Sequence, residues 1–149
     1  MKIALAQINP TVGALVANRD RILEYWRRAA DAGAELVVFP ELALTGYPPK
    51  DLLDLPDFVR RNVEALESLA AEMRGGPGVI VGYVHPREPD AAGKPLHNAA
   101  ALIDDGRIVS RHFKSLLPTY DVFDESRYFE PAPELQIAEF RGRRLAITI

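Results

Sequence analysis

Leu36-Val37-Val38-Phe39 is a short apolar run without alternation, stopped by a proline and followed at once by a carboxylate, Glu41. Such a run reads as a strand covered on both faces, as in a parallel or mixed sheet. Pro40 has no N–H with which to extend a ladder, so Glu41 is expected just past the carboxyl edge of the strand. In open α/β sheets ligands bind in that crevice, and Thr45-Gly46-Tyr47-Pro48-Pro49 has the composition of a rigid turn beside it. A Glu after a strand is more often a solvated loop residue or a first-turn helix acid, so its position alone assigns it no role.

The rest of the chain supplies neighbours for that strand. Lys2 to Asn9 is mostly apolar and predicts a first buried strand, central in the sheet, ended by Asn9-Pro10. Val16, Ile22, Leu23, Trp26, Ala29 and Ala30 then fall on one helical face, and Gly33 stands where a left-handed cap belongs. Strand, helix and strand make a βαβ unit with parallel strands and a right-handed crossover. Pro56 opens a second helix, carried by Phe58, Val59, Val63, Leu66, Leu69, Ala70 and Met73 and ended by Gly75-Gly76-Pro77-Gly78. Val79 to Val84 is a third strand, and the polar, turn-rich stretch from Pro86 to Pro95 predicts a mobile surface loop. Asn98 to Ile103 and Arg107 to Phe113 flank Asp104-Asp105-Gly106, the clearest hairpin signal in the chain. Leu135 to Phe140 and Arg143 to Ile149 make a second hairpin about Arg141-Gly142. Ser115 to Pro133 has no regular period, yet it carries Tyr120, Phe123, Tyr128 and Phe129, as a loop lining a site would. The expected fold is α/β: one domain over residues 1–149, with five strands in a mixed sheet and both long helices on one face.

Composition narrows the function. A chain of 149 residues, 48% hydrophobic and 26% charged with net charge −3, suits one soluble domain and favours neither nucleic acid nor an anionic membrane as partner. Without an apolar window of membrane-spanning length, a cytoplasmic location is expected. The absence of cysteine excludes disulfides, thiolate zinc sites and a cysteine nucleophile within these residues. His85, His97 and His112 share no metal spacing and read as ordinary loop or strand residues.

Glu41 after LVVF and Lys114 after RIVSRHF stand at strand ends. Beside one substrate they suit acyl transfer, the carboxylate taking a proton from a nucleophile and the ammonium stabilising an oxyanion. Spacing alone leaves open that they are unrelated surface charges or a simple ion pair. Ile3-Ala4-Leu5-Ala6-Gln7, Val38-Phe39-Pro40-Glu41-Leu42 and Lys114 resemble the carbon-nitrogen hydrolase (nitrilase) superfamily. Leu44 to Leu53, Leu117 to Glu125 and Arg127-Tyr128-Phe129 resemble its glutaminase branch, found in glutamine-dependent NAD synthetases.

That resemblance implies the amino-terminal half of a nitrilase-like αββα sandwich and a Glu, Lys and Cys triad. It makes Glu41 the general base, Lys114 the cation on the oxyanion side and Glu125 a supporting acid. Tyr120 is implied to contact glutamine, with Tyr47 and Phe123 as pocket walls. It further implies a homo-oligomer that passes ammonia to ATP-dependent amidation of deamido-NAD, with ATP and Mg2+ belonging to a synthetase domain outside this segment and no cofactor within it. The family's nucleophilic cysteine follows a strand resembling Arg143 to Ile149, and the sequence stops at that point. The expectation is an amino-terminal piece of an enzyme, inactive by itself. A stand-alone hydrolase of a small amide and a catalytically dead binding module are the alternatives at this stage.

Overall fold

The computed structural model describes residues 1–120 and 123–149. Among these, the elements run β1 (Ile3–Leu5), α1 (Leu15–Asp31), β2 (Leu36–Val38), α2 (Pro56–Glu72), β3 (Gly78–Pro86), β4 (Leu96–Asp104), β5 (Arg107–Phe113), β6 (Ile137–Phe140) and β7 (Arg143–Ala146). Single turns of 3-10 helix lie at Lys50–Asp54 and Glu125–Arg127. The main sheet has the order β1-β2-β3-β4-β5, parallel through β3 and antiparallel from there on, and β6 and β7 pair separately.

Alternation along the strands divides the interior in two. Val37, Val79, Val81, Tyr83, Ala99, Ala101 and Ile103 face Ile22, Leu23 and Trp26 of α1 and Leu66 and Leu69 of α2, with Met73 just past its end, so both helices cover the same face. Leu36, Ala100 and Leu102 point the other way and are covered by Ala138 and Phe140 of β6 and by Ile147, just past β7. The architecture is the expected mixed sheet with two helices on one side.

Local signals act as their chemistry dictates. Gly33 takes φ +71°, its N–H reaching Ala30 O and that of Ala34 reaching Ala29 O, a left-handed cap that closes α1. Pro56 occupies the first turn of α2, where its missing N–H costs nothing. Asp105 and Gly106, at φ 44° and 81°, form the tight turn between β4 and β5.

The structure corrects the placement of the first strand. Rather than central, β1 is an edge strand of three residues, and its Ile3 and Leu5 are 48% and 73% exposed. After Ala6 donates to Val38 O, Gln7 N–H turns back to Leu5 O and the chain leaves the ladder. Residues 87–95 form a surface loop held at its base by Arg87, whose N–H bonds Pro95 O and whose guanidinium bonds Ala92 O and Lys94 O.

Candidate active site

Glu41 owes its position to a crossing of backbones. Phe39 N–H continues the ladder to Ile80 O at 2.9 Å, Pro40 ends it, and the chain passes directly over Gly82 of β3. A Cβ at Gly82 would lie 2.2 Å from Leu42 N and 2.8 Å from Glu41 C, so only glycine permits the approach. Leu44 N–H then bonds Gly82 O, fixing the far side of the bend. Gly46 is equally constrained: at φ +76°, its Cβ would fall 2.6 Å from Val12 Cα.

Lys114 follows β5 directly, and its N–H donates to Asn98 O of β4 at 2.9 Å, one step beyond the formal strand pairing. Glu125 opens the turn Glu125–Arg127, donating its N–H to Pro118 O and accepting that of Phe129 at 2.9 Å. The Phe129 ring is buried with Leu42, Val84 and Leu96, which anchors the long loop that delivers Glu125.

These elements bring three charges together. Lys114 Nζ lies 2.7 Å from Glu41 Oε1 and 3.1 and 3.0 Å from the two Glu125 oxygens. Tyr47 donates its hydroxyl to Glu125 Oε1 at 2.7 Å, and Asn98 donates Nδ2–H to Glu41 Oε1. Lys114 and Glu125 are buried, whereas the Glu41 side chain keeps 32% exposure. Burial alone would pull the Lys114 pKa down, but hydrogen bonds to Glu41 and Glu125 and their charges outweigh it and hold it above the ordinary lysine range. Burial, joined by the hydrogen bond to Glu125, pushes the Tyr47 phenol up, so it remains a donor. The result is an open carboxylate held by a sequestered ammonium, able to exchange a proton with a group in the cleft while the ammonium faces a developing negative charge.

Of the residues singled out in the sequence, Glu41, Lys114 and Glu125 meet directly and Tyr47 touches Glu125. Phe123 lies against Tyr47 with centroids 6.2 Å apart, and Tyr120 stands edge-on to Phe123 at 5.6 Å. Tyr120 is 69% exposed, at the outer end of this aromatic row. Asp121 and Val122, part of the motif from Leu117 to Glu125, lie outside the described residues.

The space around the cluster is divided. A cleft of about 350 Å³ is lined by Pro40, Glu41, Gly82 and Ala99, with residues 146–149 as its opposite wall. A second of about 240 Å³ is lined by Tyr47, Phe123 and Glu125, and an open one of about 790 Å³ by Lys114, Ser115 and Tyr120. Asn98 was not anticipated. In the sequence it is only the first residue of a predicted strand, and its partner lies 57 residues away.

The histidines belong to the sheet. His85 and His97 each stack on Phe113, at 5.2 and 4.3 Å, and bond Tyr83 Oη and Glu130 O respectively, while His112 Nε2 bonds Ser110 Oγ. Among the described residues no three acidic or histidine side chains converge to hold a metal, and no helix is long and apolar enough to cross a membrane.

The sequence and the fold both match known proteins. Residues 2–149 match the carbon-nitrogen hydrolase family. The glutamine-dependent NAD(+) synthetase of Synechocystis sp. is 45% identical over 149 residues, 99% of this chain and 27% of its own length. That of Thermotoga maritima is 41% identical over 150 residues, 100% of this chain and 25% of its own. The glutamine-dependent NAD+ synthetase from Acinetobacter baumannii, solved with adenosine diphosphate, superposes with a TM-score of 0.86 at 33% identity, covering 95% of this chain and 26% of that one. An amidase from Nesterenkonia sp. superposes at 0.79 and 25% identity, covering 98% of this chain and 54% of its own. The chain thus spans about a quarter of the length of the synthetases it matches.

Proposed function

The chain belongs to the carbon-nitrogen hydrolase family, and on that premise we propose that it forms the amino-terminal part of a glutaminase domain hydrolysing the side-chain amide of glutamine. The observation that carries this reading is the convergence of Glu41, Lys114 and Glu125, with Tyr47 bonded to the last, at a cleft beside strand ends. The synthetases at 33–45% identity supply the choice of glutamine.

In this reading the nucleophile is a cysteine thiol following the segment 143–149, whose residues 146–149 line the cleft together with Glu41. In a Glu-to-Gln mutant of the related Nesterenkonia amidase, acrylamide adds to an active-site cysteine. Glu41 takes the thiol proton, and the thiolate attacks the amide carbonyl. Lys114 faces the oxyanion, and the C–N bond breaks as Glu41 returns the proton to the departing ammonia. Water, deprotonated by Glu41, then cleaves the thioester, leaving glutamate and free enzyme. Glu125 and Tyr47 hold the ammonium in place, and Phe123 and Tyr120 form the aromatic wall on which glutamine rests.

The ammonia would feed ATP-dependent amidation of deamido-NAD in a cytoplasmic homo-oligomer. The carboxylates of this site are engaged by Lys114, Asn98 and Tyr47, which does not suit a Mg2+–nucleotide, so that step is assigned to no residue of this chain. The test compares ammonia release from glutamine by the 149-residue chain, expected at background because it contains no cysteine, with release by a polypeptide extended through the thiol. Glu41→Gln or Lys114→Ala in the extended form should abolish most turnover. Activity in the short chain, or hydrolysis by the extended form of other small amides but not glutamine, would overturn the assignment.

A further inference from the structure

We propose that Asn98 is a positioning residue that decides which oxygen of Glu41 acts as the base, an inference that rests on the glutaminase reading. Glu41 Oε1 accepts from both Lys114 Nζ and Asn98 Nδ2, whereas no hydrogen bond among the described residues reaches Oε2. With Oε1 doubly engaged, Oε2 is the atom left to take a proton. Lys114 alone would hold the carboxylate by one pivot, about which the two oxygens could exchange; a second donor on the same oxygen removes that freedom.

Asn98 is placed to do this by its backbone as well as its side chain. Its carbonyl accepts the N–H of Lys114 at 2.9 Å, so one residue sets the origin of the ammonium and the orientation of the carboxylate. The amide orientation is fixed by charge, since the reverse would set Oδ1 against a carboxylate oxygen. Asn98 is also poorly suited to a purely structural role. It is 1% exposed, yet among the described residues its Oδ1 has no hydrogen-bond partner, an arrangement that costs stability.

The test uses the extended, thiol-bearing polypeptide with Asn98→Ala and Asn98→Asp. Asn98→Ala should lower kcat roughly 10- to 100-fold, the worth of a hydrogen bond to a charged group, with KM for glutamine little changed. Asn98→Asp keeps shape but loses the donor when ionised. Its activity should fall as pH rises, because only the protonated carboxyl can still donate to Glu41, giving the pH profile an ionisation absent from the wild type and from Asn98→Ala. A space-filling role predicts the reverse ranking, with the isosteric Asp mild at every pH, and that result would overturn the proposal. A substrate-free readout accompanies the kinetics. In NMR spectra one Nδ2 proton of Asn98 should lie downfield and return to the ordinary range in Glu41→Ala; an unshifted signal in the wild type would also overturn it. A wild type inactive on glutamine with that signal present would sink the glutaminase reading while leaving the Asn98–Glu41 contact supported.

Discussion

Replacing Lys114 with methionine keeps most of the side chain's volume and removes its charge, leaving Glu41 and Glu125 without a counter-ion. The two arms are unequal. The Glu125 side chain is 6% exposed and that of Glu41 32%, so water can screen Glu41 but not Glu125. Breaking a buried pair by removing one partner costs about 3–5 kcal/mol, whereas an exposed pair contributes about 1 kcal/mol or less, so the Glu125 arm dominates. For a domain of this size that corresponds to a fall in Tm of roughly 6–20 °C. The pH dependence has a definite sign. Lys114 has a folded pKa above its unfolded value, so its contribution is complete below the unfolded lysine range and fades as pH rises through the folded one. The wild type should therefore lose stability at the alkaline end along a limb that Lys114→Met lacks. Urea unfolding near neutral pH and at successive alkaline steps measures both effects. Adding Glu125→Gln to Lys114→Met should recover much of the loss, because the orphaned buried charge disappears. A single variant within about 1 kcal/mol of wild type, or a strictly additive double variant, would refute the argument.

Other consequences follow from the same geometry. Gly82→Ala should cost about 1–3 kcal/mol or more in urea unfolding and reduce turnover in the extended form, since the added methyl meets the backbone carrying Glu41. Tyr47→Phe leaves a buried carboxylate short of one donor and should cost about 1–3 kcal/mol, visible as a lower urea midpoint with unchanged slope. Burial, helped by the nearby charges of Arg111 and His97, lowers the His85 pKa from 6.5 to about 4. Its neutral form contributes stability that is complete above 6.5 and lost as pH falls toward 4, so His85→Phe should flatten that part of an acid titration followed by circular dichroism.

Much of the fold could be read from the chain because its signals are local. Pro56, Gly33 and Asp105-Gly106 act through backbone constraints that do not depend on distant partners. Strand order is another matter. Ile3 and Leu5 are as apolar as a central strand requires, and nothing within residues 2–9 records that, among the described strands, β1 pairs with β2 alone. At the site, Glu41 and Lys114 were legible from strand ends and Glu125 from the family motif alone. Asn98 was not, because its meaning lies in a contact across the sheet with a residue that arrives on a different strand.

The sheet's change from parallel to antiparallel at β3 divides the site by the distance its parts must travel during folding. Lys114 and Glu125 are 11 residues apart, and Asn98 reaches Lys114 through a hairpin, so this half can form by local closure. Glu41 is 73 residues from Lys114 and arrives only when β2 has docked beside β3 through a helical crossover, the slower class of contact. The base should therefore be the last member to reach the site. Pulse-labelled hydrogen exchange would record this as protection of the amides of Phe39 and Leu44 after those of β4, and simultaneous protection would rule it out.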